Sequence, residues 1–520
     1  MLALAAIVVT ACQSVAPSPS AAGATQGPGA TATPGVPVGT PVEGGILRVA
    51  RSGDVLTWDP PKMDENDSLW ASVAIFSTLL RASADGKSLE PYAAASFTTS
   101  PDYKQYTFKL DPAAAFCDGS PITSADVAFS WDRAMKSDAV SWMFPEGLTM
   151  ETPDAQTFVV DLTSPNVAMS WWSTLWGMEI VSKAYAESHT DEDMAARPLG
   201  SGPFCLKEFK RGSEITLERN QHFWLKDDGG RPLPYVDEVQ WLIVPDANSR
   251  TLKLQSGEID IAEDIPFNQV ETLKTAPGIV VGTSALLGEA TIWLNQRTPF
   301  KDPKVRQAAN YAVDKQSLID IVLQGFGQPA YSFLYLGKYT NEEYGFRYDL
   351  DKAKQLMSES SAPNGFDADL LVMSGDTTQE QAAVVLKDQL AKIGINITIT
   401  PLETGTFSDR WFKSDFDMLY KLSTLDIYDS SENLNIDIND AGFTGWKDED
   451  LWAFAQAAAA EPDETKRAQL FDELQKRYME APPQLPLFHP ENAWAHSSRV
   501  QGYAYLNTGL RPFLKTWLTP

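Results

Sequence analysis

The chain has 520 residues, a formal net charge of −27 and 43% apolar residues. That acidic balance argues against a nucleic-acid binder, which needs cationic groups to displace counterions, and against a polybasic membrane-surface protein. Beyond residue 12 no run nears the roughly 20 apolar residues of a spanning helix, and the four histidines and three cysteines show no CxxC or HExxH spacing for a metal.

Leu2 to Ala11 is an uncharged apolar run, too short to span a bilayer and suited to the core of a secretory signal. It ends in Val9-Thr10-Ala11-Cys12, which resembles the bacterial lipobox, where small residues precede a cysteine whose thiol accepts diacylglycerol. Residues 13–44 are almost entirely Ala, Pro, Ser, Gly and Thr with one charge, Glu43. Such a composition cannot bury a core, so it reads as a tether of roughly 30 Å r.m.s. span. The expectation is signal and lipobox in 1–12 and a disordered tether in 13–44.

From Gly45 the texture becomes that of a packed body. Thr107 to Leu110 alternates with period two and predicts a strand. Asp118-Gly119 and Pro121 mark a turn. Thr123 then opens a helix running to about Lys136, with Asp126 in the capping-box position. Asp302-Pro303 is an N-cap followed by an N1 proline. Asp314 caps a second helix that stops near Gly325. Glu380 to Ile393 predicts a helix ended by Gly394, and Ile395, Ile397 and Ile399 then alternate as a strand. A further helix follows Pro462 and ends at Pro482-Pro483. Strands alternating with helices imply an α/β body, and no 20–50-residue repeat is visible.

Five segments, in order, resemble bacterial extracellular solute-binding proteins of the peptide/nickel class, family 5. They are Leu89 to Phe97; Tyr106 to Leu110 with Phe116-Cys117-Asp118-Gly119-Ser120-Pro121 through Val127; Gly200-Ser201-Gly202-Pro203-Phe204 with Ile215 to Asn220 and Phe223-Trp224; Leu254 to Asp260; and Asn295, Pro299-Phe300, Asp302 and Val305 to Lys315. The resemblance spans roughly residues 45–510. It implies a two-lobed clamshell of the periplasmic-binding type (type II, large cluster) with an extra subdomain. Lobe one would take 45–75, 197–285 and 488–520, the extra subdomain 76–196, and lobe two 286–487. It implies a monomeric, exported, lipid-anchored protein that captures a small solute, most simply an oligopeptide or dipeptide, and hands it to ABC permease subunits. It implies no cofactor and no catalysis, and no G-x-S-x-G, HExxH or Cys-His arrangement contradicts that. A sensory or chaperone clamshell would share the same features.

In peptide-binding members an Asp in the pattern W-x-x-D-x-x-D/E-P meets the peptide ammonium. The matching stretch here is Ser423 to Ser430, which places Asp426 on that Asp and Asp429 on the second acid. The departures are Ser423 for the aromatic, Ser430 for the proline, and Tyr420 where some members carry an Arg. Lys421 beside it would face the other side of a strand. The wall thus keeps an anion and lacks its usual cation, which leaves room for cationic or neutral ligands, oligosaccharides among them. Trp58, Trp411 and Tyr428 are further ligand-side candidates. Trp171, Trp172 and Trp176 have near-helical spacing and read mainly as packing. His489 and His496 read as surface or hinge groups rather than metal ligands, and Cys117 and Cys205 as a candidate disulfide in an exported protein.

Overall fold

The computed structural model describes residues 39–520 apart from Asp64, Ala84, Asp85, Asp440 and Asn507, so Cys12, the signal core and most of the tether lie outside the described residues. Twelve strands make one large sheet. In chain order they are β1 (Ile46–Arg51), β2 (Phe204–Lys210), β3 (Glu214–Arg219), β4 (Glu238–Ile243), β5 (Ile261–Ala262), β6 (Ile279–Ala285), β7 (Gly288–Leu294), β8 (Gly327–Pro329), β9 (Phe366–Met373), β10 (Ile395–Leu402), β11 (Met418–Thr424) and β12 (Gln484–Ser497). Their bonded order is β10-β9-β11-β7-β12-β5-β1-β4-β3-β2, and β6 and β8 also pair with β12. The first half of β12 runs antiparallel to β7 and β8, and its second half antiparallel to β5 and β6. This shared strand joins the half-sheets of a two-lobed α/β protein.

The chain crosses between half-sheets twice. One crossing is Leu286-Leu287, between β6 and β7, and the other is the middle of β12. The two touch, because the Leu286 N–H donates to the Pro490 carbonyl at 3.0 Å.

Period-two alternation explains the core on the β7 side. Ala290, Ile292 and Leu294 of β7 and Tyr420 of β11 point to one face. Helices Pro303–Ala312, Lys315–Val322, Leu350–Ser358 and Thr377–Leu390 bury that face. Their starts follow the capping residues. Asp302 accepts from the Lys304 N–H at 2.9 Å and Asp314 from the Ser317 N–H at 3.2 Å. The helix expected from Glu380 begins earlier, at Thr377, because Asp376 caps it with bonds from the Thr378 and Gln379 amides, both at 3.0 Å. It ends at Gly394, whose φ of 83° suits glycine.

A separate four-stranded antiparallel sheet comprises Ala94–Thr99, Gln105–Leu110, Thr149–Asp154 and Thr157–Asp161. Helix Ser124–Met135 packs on it through Trp131, which is fully buried and edge-on to Phe158 at 5.1 Å. Asp126 accepts from the Thr123 N–H at 2.9 Å and from its hydroxyl at 2.6 Å, fixing the helix start. The turn before it docks on β2: the Cys117 N–H donates to the Gly200 carbonyl at 2.9 Å, and Cys117 is disulfide-bonded to Cys205 with Cα atoms 6.0 Å apart. The Gly200-to-Phe204 segment lies against the Ile75-Phe76 backbone. The Ser201 and Gly202 amides both donate to the Ile75 carbonyl at 2.9 Å, and a Cβ on Gly202 would sit 2.7 Å from the Ile75 carbonyl carbon.

The bridge closes a loop with a sequence separation of 88. Replacing both cysteines by serine is expected to cost about 2–5 kcal/mol through the gain in unfolded-chain freedom. Urea unfolding without reductant checks this, and an unchanged midpoint would show that the bridge adds nothing.

Candidate functional site

A cavity of about 300 Å³ lies where the two lobes and the four-stranded unit meet. One wall comes from the end of helix Asn66–Ser72 and the chain that follows, including Phe76. A second comes from the short strand pair Leu80–Ala82 and Leu89–Pro91, and a third from Thr174 to Glu179. Pro203 contributes from the segment held by Gly202. The C-terminal stretch from Gly502 to Thr516 closes another side. Among the described lining residues, Asp426 is the one supplied by residues 286–487.

The C-terminal wall is held by a buried cation. Arg511 pairs with Glu263 at 3.2 Å, and its guanidinium lies over the rings of Tyr505 at 4.3 Å and Trp70 at 4.6 Å. Tyr505 in turn stacks on Trp494 of β12 at 4.7 Å. Ion-paired with Glu263 and stacked on two rings, this buried arginine is a structural fixture and not a ligand group.

The cavity surface is largely apolar, with few charges. Arg81 and Glu90 neutralise each other at 2.8 Å, and Arg81 also lies 5.7 Å from the Tyr92 ring centre. Lys515 is exposed. Asp426 and Glu179 are the remaining acids. Burial pushes the Asp426 carboxyl up to about 7. Glu432, 1% exposed, accepts the backbone N–H groups of Asp426 at 3.0 Å and Ile427 at 3.2 Å, and burial, then the Asp426 charge, hold its own carboxyl well above the usual range. Glu179 is 3% exposed, and burial pushes its carboxyl up to about 8. These surroundings favour the protonated form of each carboxyl, and a cation placed beside one would favour its ionised form.

Of the six residues expected on the ligand side, Asp426 alone lines this cavity. Asp429 is 2% exposed and bonded by both Arg467 terminal nitrogens, at 2.6 and 2.9 Å. Burial pulls its carboxyl upward and the guanidinium more than offsets this, leaving it lowered. Asp429 is therefore one half of a buried ion pair. Tyr420 is in the helix-covered core, facing away from Lys421, whose ammonium lies over the Trp293 ring at 4.0 Å. Trp411 packs edge-on to Trp293 at 5.7 Å. Tyr428 packs beside Leu287, Tyr335 and Leu425. Trp58 has no exposed surface and packs in the first-lobe core, 6.0 Å from Phe209. The loop after β1 turns its indole inward because Val55 and Met63 fold over the same core.

The tryptophan cluster divides. Trp172 is buried in the four-stranded unit, Trp171 packs against that core, and Trp176 packs against two cores and also lines the cavity. His489 is occupied at the crossing by the Gly288 carbonyl at 2.9 Å and Glu342 at 3.1 Å. Among the described residues no group of three or more His, Cys, Asp or Glu could hold a metal ion. Sequence reasoning missed Glu179 and the C-terminal wall. The available signal was a lone acid inside the apolar run Leu175 to Val181.

The family profile for bacterial extracellular solute-binding proteins, family 5 (middle), matches residues 88–443. The chain belongs to this family. Among its relatives is a probable D,D-dipeptide-binding periplasmic protein of Escherichia coli (strain K12), 25% identical over 88% of this chain and 91% of the relative. A glutathione-binding protein of Pectobacterium atrosepticum is 29% identical over 66% of each chain. The Helicobacter pylori ABC transporter-associated periplasmic binding protein DppA, solved with the peptide STSA, is 27% identical with a TM-score of 0.80 and covers 92% of this chain and 99% of its own. Members of the family are extracellular solute-binding proteins, and the two-lobed fold with a cavity at the junction is that of such a protein.

Two outcomes follow from these charges. Replacing Arg467 by Met strands the buried Asp429 carboxylate and is expected to cost about 3–5 kcal/mol, measured by denaturant unfolding. Asp426 has a native pKa above its unfolded value, so the native state binds more protons and stability falls as pH rises from about 4 to about 7. Asp426→Asn cannot ionise there. Its melting temperature relative to the parent should climb across that window, and a constant difference would deny the shift.

Proposed function

We propose that this protein captures a short peptide with a free N-terminus, its α-ammonium held by the Asp426 carboxylate, and delivers it to ABC permease subunits. The observation that carries the reading is Asp426 itself: a half-buried acid reaching from the second lobe into a cavity otherwise walled by the first lobe and the four-stranded unit. A charge-assisted hydrogen bond to an ammonium is strong in such surroundings and touches both lobes through one ligand. A ligand bridging both sides selects the closed arrangement over an open one. The peptide-binding names of the relatives and the bound peptide in the Helicobacter pylori protein support the same class. The cavity volume suits a few residues rather than a long chain. In this reading the Cys12 thiol is acylated and the segment after it tethers the body to the outer face of the cytoplasmic membrane; the expected tether ends before residue 44, since Pro41, Glu43 and Gly44 are docked on the body, the Gly44 N–H donating to the Tyr235 carbonyl at 2.8 Å.

A thermal-shift comparison tests this. A ligand at 100 times its Kd stabilises the native state by about 2.7 kcal/mol. Tripeptides with free N-termini should raise the melting temperature, their N-acetylated forms should not, and Asp426→Ala should abolish the shift. Equal shifts with acetylated peptides, or shifts with oligosaccharides only, would overturn the ammonium clamp.

A further inference from the structure

Glu179 is a buried acid that neither the fold nor the ammonium clamp uses. It follows the single turn Trp176–Met178 and lines the cavity wall. Its Oε1 lies 2.6 Å from the Ser72 hydroxyl. That hydroxyl also lies 2.8 Å from the Leu69 carbonyl within its own helix. Ser72 has one proton to give. The carbonyl can only accept, so both contacts are hydrogen bonds when Ser72 donates to Leu69 and a protonated Glu179 donates to Ser72. Glu179 Oε2 then remains as a buried acceptor with no partner among the described residues. A buried unsatisfied oxygen is costly to keep, and no polar group of the lining bonds it. Arg81 is paired with Glu90, Lys515 is exposed, and the Tyr92 hydroxyl is directed to the Phe76 carbonyl at 3.5 Å. With Asp426 committed to the ligand's ammonium, the cavity still offers an acid that has no ion-pair partner among the described residues.

We propose that Glu179 is a specificity-determining residue that receives the basic side chain of the bound peptide, so that the preferred ligands are short peptides carrying a lysine or arginine. The inference rests on the peptide reading above, in which Asp426 holds the α-ammonium. When the side-chain cation enters, the Glu179 proton leaves to solvent. The Oε1 to Ser72 contact then survives with the hydroxyl turned to donate to the carboxylate, and Oε2 gains its charge-assisted partner. Binding of a basic peptide is accordingly linked to proton release, whereas a neutral peptide leaves the Glu179 proton in place.

The test is calorimetry near pH 7 on the full chain, repeated in two buffers of different ionisation enthalpy, with Lys-Ala-Ala, Ala-Lys-Ala and Ala-Ala-Lys and the same three peptides with norleucine for lysine. At least one lysine peptide should bind about tenfold or more tighter than its norleucine partner and release more protons. Glu179→Gln should erase both differences, and its unliganded melting curve reports that the fold is intact. Ser72→Ala, which keeps the acid, should preserve the lysine preference. A preference that survives Glu179→Gln, or equal binding of each pair with equal proton release, would overturn the proposal while the Asp426-dependent binding of all six peptides keeps the ammonium clamp standing. Failure of every peptide to bind would remove both.

Discussion

Strand β12 has to satisfy its backbone on both edges of two different half-sheets, and the rest of the architecture is arranged around that demand. Its first half is paired with β7 and β8 and its second with β5 and β6. Near the change of partners stands Pro490, which has no N–H to give but whose carbonyl accepts from Leu286 of the other crossing. His489 beside it reaches the Gly288 carbonyl, so the two crossings are laced together over a few residues. Lobes connected this way cannot part. Relative motion between them is confined to rotation about the seam, and the cavity lies where the lobes meet.

The cavity shows how burial governs charge. Two ion pairs near it, Arg467 with Asp429 and Arg511 with Glu263, are closed circuits in which each charge has its partner inside the protein. They hold the loop after β11 and the C-terminal wall in place. Asp426 and Glu179 are treated differently. Glu179 is buried and Asp426 half-buried, neither with a cation of its own, and their carboxyls are pushed toward the neutral form. A protein that stabilised itself alone would have paired them or replaced them with apolar groups. Acids without a cation at a lobe junction are polar capacity held open for something from outside.

Local chemistry made much of the fold legible. Asp302 with Pro303, Asp314 and Gly394 fix helix ends by bonds and dihedrals within a few residues, so their sequence neighbourhood holds the whole argument. Strand parity also carried through: Tyr420 and Lys421 face opposite sides. The ligand side was less readable. Asp429 looks like a site acid until Arg467 arrives from 38 residues further on. Trp58 looks like a cleft aromatic until the fold over Val55 and Met63 turns it inward. Glu179 owes its character to Ser72, 107 residues earlier, and to a wall built by the C-terminal segment. Contacts of that sequence separation leave no local pattern to read.

The shared strand also dictates when the molecule can be completed. β1 begins at Ile46, yet β5, the strand beside it, is paired on its other edge with residues near 495. The first lobe therefore cannot close its sheet until nearly the whole chain is available, whereas the second lobe's core is built mostly from residues between 290 and 420. Closure over so long a separation is slow compared with local helix formation. The lobe that seals the body is thus the one that waits for the far end of the polypeptide, and until then its strand edges stay open.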